Sequence, residues 1–130
     1  MSSVFTRIVE GKLPCHKILE DGRFLAFLEI RPINPGHTLV IPKTEIDDFF
    51  DLDDGLLSGL MIFSKKVAKI IRKAVPCRKI AMVVYGLEVP HAHVHLVPIH
   101  GKPGELSFAN AKAATQEELA QMAVKIKASV

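Results

Sequence analysis

Cysteine is nearly absent: the chain carries two, Cys15 and Cys77, far apart in sequence. That spacing fits neither a metal knuckle nor a disulfide framework, and a reduced, cytoplasmic setting is expected. Long apolar runs are missing too. None approaches the ~20 residues that a membrane span needs, so no membrane partner is expected. Met1 to Lys12 holds no apolar core of a secretory signal. Repeats, low-complexity tracts and linker-like stretches are also lacking. A single domain over residues 1–130 is expected, long enough to bury a core without staples. Strong charge bias is the last absence, with 17 Lys and Arg against 14 Asp and Glu and a net charge of +3. That mild excess suits an anionic ligand such as a nucleotide phosphate and does not call for nucleic acid. The basic cluster Lys65, Lys66, Lys69, Arg72 and Lys73 falls within one predicted helix. It reads as a solvated face with cations near the negative end of the helix dipole.

What is present alternates strand and helix signals. Ser2 to Glu10 predicts a short helix, ended near Gly11 and Pro14. Lys17 to Glu20 and Phe24 to Glu29 form a predicted hairpin around Asp21-Gly22. Arg31 to Gly36 is rich in turn residues and feeds a strand, His37 to Ile41, closed by Pro42. Asp51 or Asp53 can cap a long helix reaching about Ala74, with Leu56, Leu60, Phe63, Val67 and Ile70 recurring every three or four residues. Lys79 to Tyr85 is strand-like. After a short loop comes a further strand, so the two should pair antiparallel. Thr115 to Glu118 is a capping box that opens a last helix through about Ala128. Together these elements make an α+β fold with a mainly antiparallel sheet, small enough that a second subunit is expected to complete it.

That further strand holds the chemistry: His91-Ala92-His93-Val94-His95-Leu96-Val97-Pro98. On a strand, alternate residues share a face, so three imidazoles stand in a row spaced by roughly 6.5–7 Å. Ala92, Val94 and Leu96 go to the core side. A row of histidines is not a packing solution, which leaves two chemical readings. His-x-His on a strand can supply two zinc ligands, with His37 or His100 completing the set. Against that, the outer imidazoles spread over roughly 13 Å and no carboxylate or cysteine lies inside the run. In the other reading, a neutral imidazole attacks phosphorus while its neighbours donate to phosphoryl oxygens or the leaving group, with no metal required. His37 follows the rigid turn Asn34-Pro35-Gly36 and is a fourth candidate. His16 and His100 read as surface residues. Glu29 is either an acceptor for ribose hydroxyls or a strand end.

The same residues resemble the histidine triad (HIT) family. The run from His91 to Val97 has its alternating histidine form. Matching blocks are Phe5 to Pro14, Leu25 to Pro32, and Pro35 to Lys43, in the family's order, over roughly residues 3 to 100. The resemblance implies a five-stranded, mainly antiparallel sheet with one long helix and a C-terminal helix. It also implies a homodimer with a continuous ten-stranded sheet, and the tail 101–130 lies outside the resemblance. By its closest branch, the nucleoside phosphoramidate hydrolases, it implies cleavage at the α-phosphate of a purine nucleotide conjugate of AMP or GMP type, with dinucleoside polyphosphates in related branches. A nucleotide-binding module with little catalysis is the alternative. His93 matches the nucleophile, His91 and His95 the flanking triad members, and His37 the histidine near the phosphate. Glu29 stands where many members carry the Asp that holds ribose. Phe5, Ile8, Leu28 and Ile30 match apolar positions around the base. Leu87, Glu88 and Val89 occupy a shortened loop before the triad, with Glu88 near the position of a Ser or Thr that helps the leaving group. Many members bind structural zinc at positions that read Ser3, Thr6 and Glu45 here, so no metal and no cofactor are expected.

Overall fold

The computed structural model describes residues 2–130. Strands β1 (Lys17–Glu20), β2 (Phe24–Leu28), β3 (Thr38–Pro42), β4 (Lys79–Val83) and β5 (Val94–Ile99) form one sheet in the order β1-β2-β3-β5-β4. Every neighbouring pair is antiparallel. Helices α1 (Val4–Val9), α2 (Asp54–Ala74) and α3 (Gln116–Lys127) surround it. The expected fold class and element order are what is observed.

The alternation of side chains along each strand splits the sheet into two different faces. Ala26, Val40, Val94 and Leu96 point to the side covered by α2 and α3, where they meet Leu60, Val67, Ile71, Leu119 and Ile126 in one core. The α2 stripe is buried as its spacing requires, Asp53 caps the helix by accepting from the Leu56 amide, and the lysines of the basic cluster are exposed. Thr115 and Glu118 close the capping box of α3. Burying a side chain such as Leu60 or Leu96 contributes about 1.5–3 kcal/mol. The opposite face carries Leu25, Phe27, Leu39 and Ile41, and α1 lays Phe5 on them. The two faces thus do separate jobs: one is closed by helices, the other is left partly open.

The histidine run departs from a simple strand. The ladder of β5 begins only at Val94, paired with Val40, so His91 and His93 lie ahead of it. Pro42 stands where the next pairing would come and has no N–H to give. The Ala92 amide turns instead to the Ile46 carbonyl at 2.7 Å. The hairpin turn also differs in detail. Asp21 accepts from the Arg23 and Phe24 amides, each at 2.8 Å, so its side chain rather than a glycine conformation closes the turn.

Gly36 sets where β3 starts. Its φ of +94° is in the left-handed region, and an added Cβ would come within 3.0 Å of Val75 Cγ2 and 3.2 Å of Pro98 Cγ. Gly36→Ala is therefore expected to destabilise the fold by about 1–2 kcal/mol from backbone strain, with the contact adding to it. Urea denaturation checks this. An unchanged midpoint would mean the turn relaxes freely.

Candidate active site

Four histidines converge on the open face of the sheet, and all four are buried: His37, His91, His93 and His95. β3 and β5 are neighbours, and Leu39 lies opposite His95, which brings His37 at the head of β3 beside His95. Turn Asn34–Gly36 aims His37, as the sequence suggested. The His93 and His95 ring centroids are 5.0 Å apart, closer than an ideal strand allows because His93 precedes the ladder.

Hydrogen bonds to the backbone decide which nitrogen of each neutral ring carries the proton. His93 Nδ1 lies 2.7 Å from the His91 carbonyl, which can only accept. The proton is thus on Nδ1, and Nε2 presents a lone pair. His37 Nδ1 accepts from the Ile33 amide at 3.0 Å, so His37 Nε2 holds the proton and donates to His95 Nδ1 at 3.0 Å. His95 must then carry its own proton on Nε2, which is buried and has no partner. One amide at Ile33 thus fixes His95 Nε2, at the far end, as a donor. Beside that free donor stands the free lone pair of His93.

His91 plays a different part. Its Nε2 donates to the Pro42 carbonyl at 2.8 Å, and its Nδ1 accepts from the Ser3 hydroxyl at 2.8 Å. Ser3 also caps α1, accepting from the Thr6 amide. Glu45 accepts from the Ser3 amide at 2.7 Å and the Thr6 hydroxyl at 2.6 Å. Those hydrogen bonds, Thr6 first, hold the Glu45 carboxyl down at about 2. Ser3, Thr6 and Glu45, at the positions where the resemblance puts structural zinc, therefore meet one another and His91. The set does not fit zinc: two of its members are neutral hydroxyls, already bonded to their neighbours, where that ion takes thiolate or imidazole.

The donor and the lone pair face a cavity of about 540 Å³ between α1, β2 and the loop before the triad. Of the expected binding residues, Phe5, Ile8, Leu28, Glu29, Ile30, Glu88 and Val89 line it, together with His37, His93 and His95. His91 stands behind the lining. Leu87 is 78% exposed and outside it: the loop turns at Gly86 (φ +83°), leaving Leu87 outward before Glu88 and Val89 reach the lining. Phe5 meets the His93 ring edge-on at 5.1 Å and fixes its tilt. Burial pushes the Glu29 carboxyl above its ordinary value, and the negative charge of Glu88 adds to the push.

Phe108 also lines the cavity, with its ring 4.8 Å from that of His95, and nothing in the sequence pointed to it. The tail 100–115 folds back in cis. Glu105 gathers the amides of His100, Gly101 and Lys102 and the side chain of Asn34. Lys112 and Ala114 donate to the carbonyls of Pro32 and Ile30. A lone phenylalanine in an irregular tract carries no periodic signal.

Among the described residues, Glu88, His93 and His95 form a group with the spacing of metal ligands, their donor atoms within 4.8 Å of one another. Glu88 closes the gap in the histidine run that the sequence reading counted against a metal.

Burial lowers His37 to about 3 and His95 to about 4, and lowers His91 as well. The unfolded chain takes up these protons near 6.5 while the folded chain refuses them. The unfolded state thus binds more protons, and stability falls as pH drops from near 6.5 towards 4. Thermal unfolding followed from about pH 7 down to about pH 4 should show a falling midpoint, with a shallower fall in His37→Gln. Equal slopes in both proteins would remove His37 from the account.

Residues 10–102 match the HIT domain. The chain is 36% identical to the adenosine 5′-monophosphoramidase hnt1 of Schizosaccharomyces pombe over 107 residues, 81% of this chain and 77% of the relative. Among solved structures it is similar to a HIT-like protein involved in cell-cycle regulation from Bartonella henselae, with a TM-score of 0.88 at 28% identity, covering 99% of this chain and 97% of that one. A zinc-bound histidine triad family protein from Mycobacterium smegmatis gives 0.85 at 30% identity, covering 99% and 93%.

Proposed function

The chain belongs to the HIT family, and from that premise we propose that it is a nucleotide hydrolase or transferase working through a nucleotidyl-histidine on His93. The observation that carries this is the free lone pair on His93 Nε2, enforced by the Nδ1 bond to the His91 carbonyl and turned to the cavity. In the proposed reaction that lone pair bonds to the α-phosphorus of a purine nucleoside 5′-phosphoramidate or related conjugate. The bond from phosphorus to the amine breaks, its electrons stay on nitrogen, and the amine takes a proton from solvent. The ring, cationic for that moment, keeps its Nδ1 bond to the carbonyl. Water then attacks phosphorus, the bond to His93 breaks, and a nucleoside monophosphate leaves.

His95 donates from Nε2 to a phosphoryl oxygen. With its protonation held down to about 4, it acts as a fixed donor of a hydrogen bond rather than as an acid. His37 keeps it in that tautomer, and His91 holds the backbone that orients His93. The base lies on Phe5, Ile8, Leu28 and Ile30, and Glu29 receives ribose hydroxyls. The relative from S. pombe, named for adenosine 5′-monophosphoramidase activity, supports the choice of phosphoramidates.

A metal-dependent hydrolase is the second reading, favoured by the spacing of Glu88, His93 and His95. Turnover of an AMP-amide in EDTA separates the two. The wild type should remain active there, and His93→Ala should lose at least about 10³-fold in kcat while still binding AMP. Trapped AMP on His93 in mass spectrometry supports the proposal. Full activity in His93→Ala, or loss of wild-type turnover on chelation, would refute it.

We propose further that the protein is a homodimer joined along β4. That strand is an edge of the sheet, and its Met82 is 42% exposed. Sedimentation should give a mass near twice 14.3 kDa, falling to 14.3 kDa in Met82→Asp. A monomeric wild type would overturn it.

A further inference from the structure

We propose that Glu88 makes the leaving-group side of this site select amines that carry a positive charge and reject leaving groups that are themselves phosphate anions. The inference rests on the hydrolase reading above and goes on to name the part of the substrate that departs.

One carboxylate oxygen of Glu88 lies 3.9 Å from His93 Nε2 and the other 3.9 Å from His95 Nε2. A phosphoryl group bonding to His93 Nε2 comes directly beside this carboxylate, so the group it loses departs within the carboxylate's field. Among the described residues no Lys or Arg pairs with Glu88. The nearby cation of the lining, Arg31, is turned to the Ala111 carbonyl and faces Glu29. Glu29 and Glu88 also repel each other, and since Arg31 acts on Glu29, the Glu88 carboxylate is left without a cation of its own among the described residues.

The Glu88 side chain is 46% exposed, so it can swing aside for the phosphoryl group yet remain beside what departs. A second nucleotide or a pyrophosphate leaving group brings further negative charge against it. An ammonium on the leaving amine meets an acceptor instead. Phe108, edge-on to His95 and tilted against Tyr85, offers this end an aromatic wall that also suits a cation. One side chain thus separates two substrate classes that share the same nucleotide half.

The test compares three conjugates in EDTA: the adenosine 5′-phosphoramidates of diaminoethane and of propylamine, and diadenosine tetraphosphate. The wild type should favour the aminoethyl over the propyl conjugate by about fivefold in kcat/KM, the size of a partly exposed ion contact, and turn over the tetraphosphate least. The ratio should fall to about one in Glu88→Gln, invert in Glu88→Lys and return in Glu88→Asp. Rescue by Asp and a preference that shrinks at about 1 M salt are readouts that a merely structural role would not move. Should the Gln protein fail to fold, the salt titration of the wild type tests the same preference. Turnover with equal ratios in wild type and Glu88→Gln would overturn this inference alone. No turnover of any of the three by the wild type would overturn the hydrolase reading with it.

Discussion

The chemistry of the open face depends on the amide of Ile33. By donating to His37 Nδ1 it forces the proton of that ring to the other nitrogen, and so commits His95 to point a donor into the cavity. A backbone N–H cannot titrate or rotate, so the order it imposes does not depend on solvent. The His91 carbonyl does the converse for His93, holding a proton on Nδ1 and leaving a lone pair on Nε2. Two backbone groups thus write opposite characters on two adjacent imidazoles. Burial reinforces the donor at His95, since desolvation disfavours the cationic ring there.

Those backbone groups are where they are because the sheet has two unlike faces. The alternation that puts Val94 and Leu96 under α2 and α3 puts His95 on the other side, against Leu39 and below α1. Apolar burial is concentrated on the helix-covered face and the histidines stand on the other, carried by the same strands. Close packing under the helices gives the open face the rigidity to hold nitrogen atoms at hydrogen-bond distances.

Much of this was legible in the chain. Helix α2 announced itself by its stripe and by Asp53, α3 by its capping box, and the site by histidines at alternate positions. Those signals are local, and local signals survive without the fold. The start of β5 was not legible, since it depends on the ladder with β3 stopping at Val40 and on the Ala92 amide turning to Ile46, contacts between distant segments. The inward turn of Glu88 beside outward Leu87 depends on the loop path after Gly86. Phe108 was hidden for a similar reason: its contact with His95 is made by Glu105 collecting four donors, which no periodicity records. The grouping of Ser3, Thr6 and Glu45 could be read only through the family resemblance, and their convergence on His91 only from the fold.

That convergence has a consequence for the conditions under which the triad stays assembled. Thiols at such positions oxidise and must be supplied with an ion. Hydroxyls do neither. With Ser3 and Thr6 joining α1 to His91, that link contains no thiol to keep reduced and waits for no ion, and the first helix is locked to the triad as soon as the chain has folded.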